Sequence, residues 1–156
     1  LDFVEACAHE TMRLKPVGPL NVLQALRDTQ VADVRVPAGT MVWCVMRHDT
    51  LQEQHFADAA RFLPQRWLEQ GGGNRSASAA KRVSMPFGAG PRVCPGRYLA
   101  LLEMKLAMTV LLGGFEIASV DTPDGGEARE RLSFTMTPVG LTMRVRAAAP
   151  RQPATA

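Results

Sequence analysis

Cys94 is the residue of this 156-residue chain whose surroundings most plainly point to chemistry. It lies in Phe87-Gly88-Ala89-Gly90-Pro91-Arg92-Val93-Cys94-Pro95-Gly96, two residues after an arginine and just before an apolar run from Tyr98 to Leu112. Glycines at 88, 90 and 96 let the backbone turn tightly and approach a flat or bulky group closely. Pro95 suits the first position of the helix that follows, where a missing N–H costs nothing. The sulfur is therefore expected beside a helix N-terminus, where free N–H groups and the macrodipole favour a thiolate. A thiolate held this way, with a cation close by, is a metal ligand or a nucleophile.

A second constellation begins with Glu10. Phe3, Ala6 or Cys7, Glu10, and Arg13 or Leu14 follow steps of three and four, so they share one helix face. That places Glu10 on the apolar stripe, where a carboxylate is costly unless paired, and Arg13 at i+3 is within reach. The helix is expected to end near Lys15, because Pro16 disfavours helical geometry in the residue before it.

The elements that must position these groups are mainly α with small antiparallel β-sheets, an α+β class. Helix is predicted over 1–15, and strands at Leu20–Gln24, Val31–Val36 and Thr40–Met46, with Pro37-Ala38-Gly39 forming a type I turn. Gln54–Ala60 reads as a short helix, followed by an irregular meander through Arg66 and Trp67. Gly71–Ser78 is rich in glycine and serine and is expected to be flexible and exposed. Pro95–Leu112 is apolar nearly all round, which predicts a buried helix, ended by Gly113-Gly114. Asp121–Arg131 reads as a charged loop. Ser133–Thr137 and Leu141–Arg146 are predicted to pair as a hairpin across Thr137-Pro138-Val139-Gly140, with Leu141, Met143 and Val145 on a half-buried face. One unit over 1–146, with a disordered tail over 147–156, accounts for the chain.

Composition adds limits. Cys7, Cys44 and Cys94 have no close pair, so neither a zinc knuckle nor a disulfide framework is indicated. The net charge is +3, but Arg75, Lys81, Arg82, Arg92 and Arg97 lie between Glu69 and Glu103 with no acid among them. A basic segment around the cysteine loop suits steering of an acidic protein partner. Nucleic acid is a poor partner, since aromatics are few and no stacking platform is visible. The run from Tyr98 to Leu112 is too short to span a bilayer and is interrupted by Glu103 and Lys105.

The pattern FxxGxRxCxG, filled at Phe87, Gly90, Arg92, Cys94 and Gly96, resembles the cysteine-ligand loop of the cytochrome P450 superfamily. Glu10-Thr11-Met12-Arg13 resembles the ExxR of its K helix. Phe62-Leu63-Pro64-Gln65-Arg66-Trp67 resembles its Pro-x-Arg segment, although the family usually has glutamate at the position of Gln65 and often phenylalanine at that of Trp67. The motifs fall in the family's order and cover residues 1 to about 146.

The resemblance implies the C-terminal part of the P450 fold and a haem-thiolate monooxygenase, the cofactor being haem b. Cys94 would be the axial iron ligand, Arg92 would pair with a propionate, and Phe87, Gly88, Gly90 and Gly96 would complete the cofactor loop. Backbone N–H groups after Cys94, such as that of Gly96, would tune the sulfur. Glu10, Arg13 and Arg66 would form a structural network in which both cations serve one buried carboxylate. By position, Gly18, Leu20 and Phe134, the last at a hairpin tip near Met136, are the candidate contacts for a small apolar substrate. Electrons would come from NAD(P)H through an acidic ferredoxin, flavodoxin or flavoprotein reductase. The family's distal acid–alcohol pair is not in this chain, so the chain by itself is expected to be inactive. A peroxide-using or isomerising relative, or an inactive truncated product, is the alternative reading. The protein is expected to be cytoplasmic if bacterial, with membrane anchoring by a preceding segment left open.

Overall fold

The structure, a computed structural model, describes residues 2–68 and 77–148, without the side chains of 77–79. It opens on helix α1 (Asp2–Leu14), with Asp2 and Glu5 in its first turn and Arg13 in its last, each at the favourable end of the helix dipole. The inward face of α1 is small and polar: Ala6, Ala8, His9, Glu10 and Arg13 are buried. The Lys15 N–H still reaches the Thr11 carbonyl at 2.7 Å. Pro16, which has no N–H, cannot extend the ladder.

Strand β1 (Leu20–Gln24) pairs antiparallel with β4 (Met41–Val45), from Leu20↔Val45 to Gln24↔Met41. The stretch between them departs from the predicted single strand over 31–36. It forms a hairpin of β2 (Thr29–Val31) and β3 (Val34–Val36), turned at Ala32 with φ 52°. Two-residue hairpin turns demand positive φ and are usually signalled by glycine or asparagine; here alanine adopts it, so the sequence gives no sign. The turn before β4 also differs in type. The Thr40 N–H bonds the Pro37 carbonyl at 3.2 Å, and Gly39 has φ +84°. Glycine thus occupies the third position, as type II requires.

Helix α2 (Met46–Thr50) follows β4 directly, ending the strand at Val45. Gln54–Ala60 forms turns in place of the predicted helix. Asp58 has φ 51°, and the Ala59 N–H is taken by the Glu53 carboxylate at 2.8 Å, so a helical ladder cannot run through. A 3-10 turn covers Pro64–Trp67. Helix α3 (Ala77–Ser84) begins inside the stretch expected to be flexible, whose residues 71–76 lie outside the described ones.

Helix α4 (Arg97–Gly114) runs two residues beyond its expected end and passes directly into β5 (Phe115–Asp121). β5 pairs antiparallel with β8 (Thr142–Ala147), while β6 (Arg129–Leu132) pairs with β7 (Met136–Val139). The predicted hairpin between Ser133–Thr137 and Leu141–Arg146 is therefore wrong in pairing, and part of the predicted charged loop is strand. Gly140 has φ +74°, and a Cβ there would stand 2.9 Å from the Pro123 ring, so the link from β7 to β8 needs glycine. Ala147 belongs to β8, and the Ala148 N–H bonds the Gly114 carbonyl at 2.9 Å. Residues 149–156 of the expected tail lie outside the described ones.

The core groups Ala6, Phe56, Ala59, Trp67 and Ala80, with Leu68 and Val83 against it. It sits where α1, the turns of the fifties, the 3-10 turn and α3 meet. Helix α4 is not buried as expected: Tyr98, Leu99, Leu102, Leu106 and Val110 are all more than half exposed. Its apolar surface runs around the whole cylinder, whereas among the described residues its main neighbours are α1 on one side and β5 at its end. Leu141, Met143 and Val145 are likewise exposed, because the β5–β8 sheet has only two strands. Among the described residues no helix is long and apolar enough to cross a membrane.

Candidate functional site

Three backbone devices shape the loop that carries Cys94. Gly88 and Gly90 take φ +72° and +68°, and the Cys94 N–H donates to the Phe87 carbonyl at 2.8 Å, folding the loop back on itself. Residues Gly90–Arg92 form a short 3-10 turn inside that fold. Past the cysteine, the Arg97 N–H reaches the Cys94 carbonyl at 3.4 Å. Pro95 and Gly96 are the middle of that turn, Gly96 is the N-cap, and α4 begins at Arg97. Pro95 is thus not the first helical residue, as the sequence suggested. Its fixed φ suits the second position of a turn, and the turn precedes the helix.

Cys94 is exposed, and Gly96 presents its bare face to the sulfur, with its missing Cβ direction 3.8 Å from Sγ. Phe87, Gly88 and Gly96 are half-buried, whereas Gly90 and Arg92 are exposed. No cluster of three His, Cys, Asp or Glu side chains that could hold a metal occurs among the described residues. The donor set is therefore one sulfur on an open, glycine-lined loop. That fits a metal arriving inside a flat macrocycle that supplies its own equatorial nitrogens, and it does not fit a tetrahedral zinc site.

Glu10 and Arg13 are both fully buried, and the structure accounts for their hydrogen-bonding groups in full. Arg13 donates Nε to Oε2 and Nη2 to Oε1 of Glu10, each at 2.9 Å, a two-pronged contact. Its remaining N–H groups reach the carbonyls of Thr50 (2.6 Å), Ala59 (2.7 Å) and Arg61 (3.0 Å). All five guanidinium donors are used. Glu10 also accepts from the Leu63 N–H at 2.8 Å, Arg66 Nε at 3.0 Å and Trp67 Nε1 at 2.8 Å. Burial alone would raise the Glu10 pKa, but the bonds from Arg13, Leu63 and Trp67 hold it below the ordinary carboxylate value.

Arg13 and Arg66 thus converge on one carboxylate, and both guanidinium groups also lie over the Phe56 ring, at 5.0 and 5.7 Å. Sequence reasoning missed two donors. Trp67 was visible as the residue after Arg66, and a buried indole seeks an acceptor. The Leu63 N–H leaves no trace in residue type. His9, stacked on Trp67 with ring centroids 5.1 Å apart, was also missed. Burial, then the charge of Lys81, hold its pKa below 6.5 against the opposing pull of Glu5.

The substrate candidates come from separate elements. Gly18 is exposed and Leu20, the first residue of β1, is half-buried. Phe134 is 98% exposed at the tip of the β6–β7 hairpin, beyond the pair Leu132↔Met136. The Met136 N–H donates to the Val17 carbonyl at 2.8 Å, which brings this hairpin to the segment of Gly18 and Leu20. Of the basic segment, Lys81, Arg82, Arg92 and Arg97 are placed, Arg97 over the Tyr98 ring at 4.4 Å, while Arg75 lies outside the described residues.

The family model for cytochrome P450 matches residues 1–145, and the chain belongs to that family. The cytochrome P450 monooxygenase tpcB of Cochliobolus heterostrophus is 38% identical over 128 residues, 80% of this chain and 25% of that protein. Methyltetrahydroprotoberberine 14-monooxygenase of Papaver somniferum is 33% identical over 153 residues, 94% of this chain and 28% of that protein. The chain spans between about a quarter and a third of the length of such relatives. The crystal structure of the cytochrome P450 CYP102L1 superposes with a TM-score of 0.78 at 26% identity, over 94% of this chain and 32% of that one. A haem-thiolate cofactor is general to the family.

Proposed function

We propose that the full-length protein is a haem b monooxygenase acting on a small apolar substrate, in which the Cys94 sulfur would hold the haem iron. The observation that carries this reading is the open loop around Cys94: an exposed sulfur, a glycine facing it at 3.8 Å, and an N–H to carbonyl bond from Cys94 to Phe87 that fixes its direction. Bound haem would supply oxygen activation, and a thiolate ligand favours O–O cleavage. The chain's own contribution would be to hold the sulfur and to neutralise a propionate with Arg92. Arg92 suits that role because it is exposed on the loop itself and makes no ion pair with a carboxylate among the described residues. Gly18, Leu20 and Phe134 would line the substrate side. Lys81, Arg82 and Arg97 would guide an acidic electron donor fed by NAD(P)H, a long-range attraction that salt screens over about 8–10 Å.

The test is the spectrum of the reduced full-length protein with carbon monoxide. Thiolate ligation gives a red-shifted Soret band, which Cys94→Ser removes. A band that survives Cys94→Ala but is lost in Cys7→Ala or Cys44→Ala overturns the assignment. Arg82→Glu should slow reduction by an acidic partner at low salt while a peroxide-driven assay keeps its rate.

A further inference from the structure

The β6–β7 hairpin is a two-stranded element, and such ribbons are marginal alone. At its base Glu130 stands opposite Pro138. Side chains hold that base in place. Glu130 Oε2 accepts from Arg47 Nη1 at 2.6 Å and from Lys15 Nζ at 3.4 Å, and Lys15 also pairs with Glu127. Arg47 belongs to α2 and Lys15 follows the last turn of α1. Both anchors are tied to the buried network: Thr50 of α2 donates its hydroxyl to the Arg13 carbonyl at 3.0 Å, and its own carbonyl accepts from Arg13. The pairing is sheltered, with the Glu130 and Arg47 side chains 19% and 28% exposed.

We propose that Glu130 is a positioning residue: its ion pairs with Arg47 and Lys15 fix the base of the β6–β7 hairpin and thereby place the Phe134 ring against substrate beside Val17 and Gly18. This rests on the reading that Gly18, Leu20 and Phe134 face the substrate. Phe134 lies four positions after Glu130 and two past the end of β6, up to about 13 Å of extended chain, so the carboxylate acts through the hairpin and not by touching substrate. A backbone tie near the tip, from Met136 N–H to the Val17 carbonyl, acts as a pivot. With the base released, the ribbon turns about that point and the ring moves.

The experiment uses full-length, haem-loaded protein with two probes. Hydrogen exchange of peptides across 129–139 reports the hairpin. The ratio of dissociation constants for imidazole and 4-phenylimidazole, read from the Soret shift, reports apolar contact beyond the iron-bound nitrogen. Glu130→Gln and Arg47→Gln should each speed hairpin exchange and weaken 4-phenylimidazole about five-fold, the scale of a partly sheltered ion pair, with imidazole unchanged. Arg47→Glu combined with Glu130→Arg should restore both readouts, and Glu130→Gln should add nothing in a Phe134→Ala background. Unchanged exchange in Glu130→Gln overturns the clamp. Faster exchange with full 4-phenylimidazole affinity overturns the positioning role if Phe134→Ala does weaken binding. If Phe134→Ala has no effect either, it is the substrate-facing reading of Phe134 that fails.

Discussion

Removing Arg13 should damage this protein more than any other single change in the Glu10 network. Arg13→Ala leaves a fully buried carboxylate with only the Leu63 N–H, Arg66 Nε and Trp67 Nε1 as donors. It also strips a donor from each of the Thr50, Ala59 and Arg61 carbonyls. Breaking one side of a buried ion pair costs about 3–5 kcal/mol. Each buried carbonyl left unpaired adds about 1–3 kcal/mol where water cannot enter. Against a total of about 5–15 kcal/mol for a folded protein, that loss removes most of the margin. Arg13→Lys keeps the charge, but its single nitrogen cannot reach carboxylate and carbonyls on opposite sides, so it should fall only partly short of the alanine variant. Arg66→Ala should be milder: Arg66 gives Glu10 one bond, its side chain is 14% exposed, and water can replace it. A charge-assisted bond of this kind is worth about 1.5–3 kcal/mol. The assay is urea unfolding of the full-length protein by far-ultraviolet circular dichroism, beside the amplitude of its reduced carbon monoxide spectrum. Expected stability runs from parent, through Arg66→Ala and Arg13→Lys, to Arg13→Ala. An Arg13→Ala protein with parental midpoint and full haem content, or one more stable than Arg66→Ala, would refute the reasoning.

Two further outcomes follow from the titrating groups and the thiols. Glu10 titrates lower when folded than unfolded, so its stabilisation is complete above the ordinary carboxylate pKa and is lost as pH falls through the folded value. His9 also titrates lower when folded, so the unfolded chain takes up its proton first and stability falls as pH drops below 6.5. His9→Phe, which keeps a ring against Trp67, should abolish the earlier loss and leave the later one; a melting-temperature series from pH 8 to pH 4 checks this. Burial raises the pKa of Cys7, whereas Cys94 is exposed. Haem-free protein should therefore modify at Cys94 well before Cys7 with a thiol reagent, and haem loading should protect Cys94 selectively; equal labelling of Cys94 with and without haem would count against it as the ligand.

What could be read before the fold was known divides along a physical line. The Glu10–Arg13 pair was legible because it depends on residue type at fixed spacing within one helix turn, and Arg66 because it stands in a recognisable local segment. Partners offered by the backbone were not legible, since every residue but proline has the same N–H and carbonyl; the Leu63 N–H and the Thr50, Ala59 and Arg61 carbonyls, with the missed Trp67 indole, complete a network of which only Glu10, Arg13 and Arg66 were foreseen. Strand pairing failed for a related reason. Ser133–Thr137 was matched to Leu141–Arg146 as its neighbour in sequence, yet β8 pairs with β5 across the intervening β6–β7 hairpin, and alternation says which face a strand shows but not which strand it meets. Ala32 hid a turn that glycine would have announced. The exposed flank of α4 completes the pattern: its composition called for burial, yet Tyr98, Leu102, Leu106 and Val110 are exposed among the described residues of a chain that spans about a quarter to a third of its relatives' length. An apolar helix with open sides and an exposed cysteine on a glycine-lined loop are the same observation at two places, surfaces that the described residues leave uncovered.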